Sequence, residues 1–165
     1  MQYRAFLLAL AALLAAPAFA QKYVAHCGVD ASEALRRINA ARAAGHSCGW
    51  HRMPPAPPLH WNGALQSAAA GHSRDMAQRN YFDHRSPEGR TVRDRVGRTG
   101  YKMKMVGENL AGGDAEVRGA IQGWLDSPAH CENMMDARFS EVGVACVGRR
   151  GSAWGTYWTM VLGRR

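Results

Sequence analysis

Three side chains form a set able to do chemistry: His84, Glu108 and His130. Two imidazoles and a carboxylate are a three-ligand donor set for a divalent transition metal, leaving one coordination position open for water or substrate. Glu108 lies in MVGENLAGG, where Gly107, Gly112 and Gly113 relax the backbone on both sides of a short apolar frame. His130 falls in the first turn of a short helix opened by Pro128, where the positive end of the helix dipole disfavours imidazolium. A neutral ring is the form that binds a metal or acts as a base. Asn133, three residues on, shares its face. No HExxH or other local metal motif is present. The competing reading is that these three residues hydrogen-bond to one another and pin loops.

Other chemistry is better explained by structure. Ser127 precedes Pro128 and suits a helix cap more than a nucleophile, and there is no GxSxG elbow. His72 shares an apolar helix face with Leu65 and Met76, the place of a satisfied core histidine. His26, His46, His51 and His60 lie in or beside loops, at the surface. Met103, Met105, Met134, Met135 and Met160 could line an adaptable apolar groove for a lipid, although methionines more often fill a core.

The elements that must position these groups follow from periodicity and punctuation. Residues 31–44 place Ala34, Leu35, Ile38 and Ala41 on a helical stripe, with Arg36, Arg37 and Arg42 off it. The Gly- and Pro-rich GHSCGWHRMPPAPPL excludes helix and central strand. Residues 63–79 form the next helix, its inner face carrying Leu65, Ala68, Ala69, His72 and Met76. Ser86-Pro87-Glu88-Gly89 fits a type I turn, and Thr91 with Asp94 caps the short helix VRDRVGR. Residues 102–111 are extended, and Asp114 is expected to cap a helix bearing Val117, Ile121, Trp124 and Leu125. A shorter helix starts at Ser127-Pro128. The tail then switches to strand spacing: FSEVGVACV and TYWTMVL pair across GRRGSAWG. Helices followed by a strand pair make the class α+β.

The chain opens MQYRAFLLALAALLAAPAFA, which reads as a secretory leader over residues 1–20, its apolar run too short to span a bilayer well. Residues 21–165 then suit one domain, with no transmembrane anchor, secreted or periplasmic. Net charge is +8, of which the leader holds only Arg4. That excess favours anionic envelope surfaces; the basic residues are scattered, with no dense stripe interleaved with aromatics, so no nucleic-acid partner is expected. Cys27, Cys48, Cys131 and Cys146 make two disulfides in an exported chain. Three pairings exist. The simplest, Cys27–Cys48 with Cys131–Cys146, contributes roughly 3 kcal/mol per loop in the chain-entropy model. No CxxC spacing supports a structural zinc site.

In this order, INAAR, LHWNGAL, HSRDMAQRNYFDHRSPEGRT, GENLAGG, GWLDSPAH with Asn133, FSEVGVAC and YWTMVLG resemble the CAP superfamily of cysteine-rich secretory, antigen 5 and pathogenesis-related proteins, the SCP-like extracellular domain. The similarity spans roughly residues 31–163 and is strongest to the bacterial branch. It implies a three-layer α-β-α sandwich with a small central antiparallel sheet and a cleft lined by a His/Glu tetrad. By position His84 matches the first histidine, Glu108 the acid of the GEN segment, and His130 the histidine of the GH element, with Ala129 in place of its glycine. Where the family has its fourth acid, after Trp124, this chain has Ser127.

Members of the superfamily are linked to sterol and fatty-acid binding, zinc binding in the cleft, proteolysis, and defence or virulence. The basic surface, the missing fourth acid and the lack of an identifiable nucleophile favour an extracellular binding module, expected to be a monomer, for a lipid or anionic envelope component, with Zn²⁺ between His84 and His130. The alternative is a metal-assisted hydrolase of peptide or wall polymer. There the metal would lower the pKa of bound water toward ~7, with Glu108 as base or third ligand.

Overall fold

In the computed structural model, which describes residues 27–165, Asp30 opens α1 (Ala31–Ala44) by accepting from the amides of Ser32 and Glu33. The expected leader, residues 1–20, and His26 lie outside the described residues. Asn62 does the same for α2 (Gly63–Arg79), which ends at Asn80 in the left-handed conformation. Thr91 and Asp94 form the expected capping box at the start of α3 (Val92–Gly97). Each such cap satisfies amides that the first helical turn leaves without partners.

The Gly/Pro-rich linker forms a small hairpin, β1 (His46–Cys48) with β2 (His51–Met53), apart from the main sheet. That sheet contains β3 (His60–Trp61), β4 (Met105–Gly112), β5 (Glu141–Gly148) and β6 (Thr156–Arg164), in the order β3-β5-β6-β4. The three long strands are antiparallel; the two residues of β3 add a short parallel edge. The other edge is β4, which carries Glu108.

Period-2 alternation splits the core into two faces. Val142, Val144, Trp158, Met160 and Leu162 pack against α1, α4 (Val117–Asp126) and α5 (Pro128–Met135). Ala145 and Val161 point the other way, against Leu65, Ala68 and Ala69 of α2 and Val96 of α3. The result is the expected α-β-α layering. Each large apolar side chain so buried contributes about 1.5–3 kcal/mol. α2 sits very close to the sheet: a Cβ at Gly143 would lie 2.1 Å from the backbone nitrogen of Gln66. Only glycine permits that approach.

Three expectations need correction. The disulfides are Cys27–Cys146 and Cys48–Cys131, not the sequence-neighbour pairs. The 14 residues of α1 separate Cys27 from Cys48 by about 21 Å of helix, so each pairs across the fold instead. Asp114 does not cap α4. Glu116 holds the N-cap position, and the Asp114 carbonyl accepts from Thr156 Oγ1 and Trp158 Nε1. Arg42 is not off the buried stripe of α1 but fully buried on it, one step of four beyond Ile38. Its guanidinium is satisfied by the carbonyls of Pro57, Met134, Asp136 and Phe139.

Candidate functional site

Glu108 and Asn109 are neighbours on the edge strand β4, so their side chains leave opposite faces of the sheet. Glu108, paired with Val161, faces the α2 and α3 side. Asn109, paired with Met160, faces α5. There Asn109 Nδ2 donates to the His130 carbonyl at 2.9 Å. Asn133 Nδ2 in turn donates to Asn109 Oδ1 at 2.8 Å and to the Glu108 carbonyl at 3.3 Å. Gly107 makes room for this tie: a Cβ there would stand 2.6 Å from Asn133 Oδ1. One strand therefore holds the acid on one face and the histidine-bearing helix on the other.

His84 arrives from the loop after α2. Its Nδ1–H donates to Glu108 Oε1 at 2.9 Å. The Glu108 side chain is 2 % exposed and that of His84 57 %, so the ring covers the carboxylate and faces solvent. The second carboxylate oxygen, Oε2, accepts from Arg95 Nη2 at 2.6 Å. The Arg95 side chain is 9 % exposed, and its guanidinium also donates to the carbonyls of His84 and Arg90. It thus ties the His84 loop to α3 and to Glu108 together.

His72 lies beneath. Its Nε2–H donates to the Asp83 carbonyl at 2.9 Å, and the same nitrogen is 3.9 Å from Glu108 Oε1. Burial lowers its pKa more than Glu108 raises it, so the ring is neutral and the 3.9 Å contact is not an ion pair. His84 goes the other way: the hydrogen bond to Glu108 raises its pKa above the ordinary value. For His130 burial lowers the pKa, and the charge of His84 lowers it further.

His84, Glu108, Asn109, His130 and Asn133 line one open groove of about 740 Å³. Its other walls include Met53, Met135, Glu132 and Arg138. All three residues singled out from the sequence therefore reach the same cavity. Among the described residues, however, no group of three or more His, Cys, Asp and Glu is close enough to hold a metal ion. Both oxygens of Glu108 are already engaged, one by a guanidinium whose charge opposes a nearby cation. The residues present do not fit a three-ligand metal site.

The profile of the cysteine-rich secretory protein family (CAP) matches residues 35–162. The chain belongs to the CAP family. It is 34% identical over 97 residues to the uncharacterized protein YkwD of Bacillus subtilis, an alignment covering 59% of this chain and 37% of YkwD. The chain thus spans little more than a third of that relative's length. Among solved structures it resembles an extracellular protein of Bacillus anthracis that contains an SCP domain. The TM-score is 0.62 at 29% identity, covering 81% of this chain and 41% of that one. It also shares its fold with an outer surface protein of Borrelia burgdorferi, with a TM-score of 0.61 at 17% identity over 83% of this chain and 96% of that one. Among the described residues no helix is long and apolar enough to cross a membrane.

In this CAP chain Ser127 holds the N-cap position of α5 but makes no side-chain cap hydrogen bond, and it does not line the groove. Two residues of the site escaped the sequence reading. Arg95 follows Val92 by three positions and precedes Val96, which puts it on the apolar side of α3, a signal of a buried cation. His51 is exposed as expected, but it lines the groove and pairs with Glu132 at 2.6 Å.

Proposed function

We propose that this CAP protein is an extracellular binding module whose groove takes a lipid or anionic envelope component through His84, His130 and Asn133. The observation that carries this is the state of Glu108: a buried carboxylate with His84 on one oxygen and Arg95 on the other is a positioning group. Each of its oxygens already accepts a hydrogen bond, and the Arg95 charge lowers its basicity and opposes a nearby cation, so it is poorly suited to take a proton from water or to ligate a metal. None of the described residues lining the groove is Ser, Thr or Cys, so no hydroxyl or thiol nucleophile among them stands beside the imidazoles. Met53 and Met135 offer an apolar wall, and His84, Asn133 and Arg138 a polar one, which suits an amphipathic ligand. The two disulfides and the extracellular or surface relatives support a place outside the cytoplasm.

Zn²⁺ would be held by His84 and His130, with Glu108 orienting His84 from outside the coordination shell. Calorimetric titration with zinc and with anionic lipid vesicles tests the reading. Vesicle binding that is lost in the His84→Ala/His130→Ala variant, at unchanged fold, supports it. Ligand binding indifferent to both substitutions, or peptide or wall-polymer turnover abolished by chelator and by Glu108→Gln, would overturn it.

A further inference from the structure

The β1–β2 hairpin carries a large aromatic side chain that the fold leaves bare. Trp50 is 102 % exposed, as open as a free side chain. The other exposed large aromatics among the described residues differ. Phe82 and Trp154 lie against each other with ring centroids 4.9 Å apart. Trp154 also rests on Gly112, where an added Cβ would stand 2.9 Å from its ring. Each of those two has lost surface to the protein; Trp50 has lost none.

The arm that presents Trp50 is braced. β1 and β2 pair from His46–Met53 to Cys48–His51, which leaves Gly49-Trp50 as a two-residue loop, with Gly49 at φ +61°. Cys48 is bonded to Cys131 of α5 and packs with Met135 and Met53. A Cβ at Gly49 would stand 3.0 Å from Pro128 Cγ, so the loop lies on the start of the same helix. His51 Nδ1 pairs with Glu132 of α5 at 2.6 Å. A disulfide, an apolar cluster and an ion pair thus fix the hairpin, and none of them covers the indole.

The chemistry of the loop selects its partner. A glycan or a peptide stacks on one face of a ring and leaves the other in water, whereas a lipid interface surrounds both. Tryptophan suits that interface, with an apolar body to bury and an N–H to keep wet. From Gly45 to Trp61 the chain has Arg52 and no Asp or Glu. Arg52 is exposed and forms no ion pair among the described residues. Glu132, the acid that meets the hairpin, is held by His51. With the chain's +8 net charge, this favours a surface of anionic headgroups. His51 and Met53, one and three residues past Trp50, line the groove, so a bilayer at the loop adjoins the groove wall.

We propose that the β1–β2 hairpin docks the protein on an anionic lipid bilayer, with Trp50 inserted at the headgroup level and Arg52 against the phosphates. That the docked groove then takes its ligand from this bilayer rests on the lipid reading of the groove; the docking does not. Arm and groove are two attachments to one surface, so vesicle affinity falls when either is removed.

The test uses the oxidised protein recovered after export and vesicles of phosphatidylcholine and phosphatidylglycerol in equal parts, some with brominated acyl chains. Bromine should quench a share of the tryptophan emission that is missing in Trp50→Ala. Trp50→Ala should weaken vesicle binding at least about tenfold, and Arg52→Gln about fivefold. The bare indole supports nothing, so the melting temperature of Trp50→Ala should not move. Monomeric dihexanoylphosphatidylglycerol reads the groove alone, and Trp50→Ala should bind it as wild type does. If wild type ignores the monomer but Trp50 still carries vesicle binding, the lipid reading of the groove fails and the docking stands. The docking fails if wild type does not bind the vesicles, or if Trp50→Ala keeps its vesicle affinity. It also fails if bromine does not quench Trp50, if pure phosphatidylcholine binds as well, or if Trp50 emission responds to soluble wall glycan and not to vesicles.

Discussion

Arg95 Nη2 stands 2.6 Å from Glu108 Oε2, an ion pair that spans from α3 to the edge strand β4, and His84 holds the other carboxylate oxygen. Removing one member of such a pair leaves an uncompensated charge in the interior, which costs about 3–5 kcal/mol. Arg95→Met is therefore expected to destabilise the protein by that amount in urea or guanidinium melts. Arg95→Met combined with Glu108→Leu should recover a large part of it, because the stranded charge is gone. An Arg95→Met melt within about 0.5 kcal/mol of wild type, the usual range for a surface change, would rule out this pairing.

The same carboxylate makes stability at the groove depend on pH with a defined sign. Glu108 raises the pKa of His84, so that contribution is fully present below the unfolded value of about 6.5 and fades as pH rises through the higher folded value. His84→Gln should thus narrow its stability deficit between pH 6 and pH 8. Burial lowers His72 and His130, so their contributions have the opposite sign, present above about 6.5 and lost as pH falls through their folded values. NMR titration resolves the three rings separately. A His84 that titrates below the other two would contradict the geometry.

Cross-fold disulfides change what reduction does. Cys27–Cys146 and Cys48–Cys131 span 119 and 83 residues, and each contributes about 4–5 kcal/mol in the chain-entropy model. Cys131 neighbours His130 on α5, and its bridge fastens that helix to the β1–β2 hairpin. Cys48→Ser/Cys131→Ser should shift the His130 resonances and weaken groove binding, whereas Cys27→Ser/Cys146→Ser should act mainly on the melting temperature. Peptide mapping without reductant checks the pairing first; a Cys27–Cys48 peptide would refute it.

The layout of the layers was legible because long periodic segments carry their own signal. α2 bears seventeen residues with one consistent apolar face, and β5 and β6 alternate cleanly against it. The groove was legible through the motifs around His84, Glu108 and His130, whose side chains do share a cavity. Arg95 was harder to read: its spacing from Val92 hints at the apolar side, but six residues of α3 are too few to establish a period and the surrounding arginines mask it. Arg42 was misplaced for another reason: a charge reads as solvent-facing unless several carbonyls converge on it, and those carbonyls come from segments 15 to 97 residues away. The disulfide pairing depends on which ends of α1 meet which strands, and that is tertiary information.

Two glycines with different neighbours separate backbone packing from site geometry. At Gly143 an added Cβ would meet backbone of Gln66 and Leu65 at 2.1 and 2.6 Å, so α2 as a whole would have to lift from β5. At Gly107 it would meet side chains instead, Asn133 Oδ1 at 2.6 Å and the Phe139 ring at 2.8 Å. Overpacking costs about 1–3 kcal/mol, more where no rotamer can yield. Gly143→Ala should therefore reach or exceed the top of that range, and Gly107→Ala stay within it. Function should follow the reverse order in the surviving folded protein. Gly107→Ala displaces Asn133, which donates to Asn109 and so steadies the strand that anchors His130, and should weaken ligand binding in the groove and broaden the His130 signals. Equal effects of the two variants on His130 would show that Asn133 is not the link between β4 and α5.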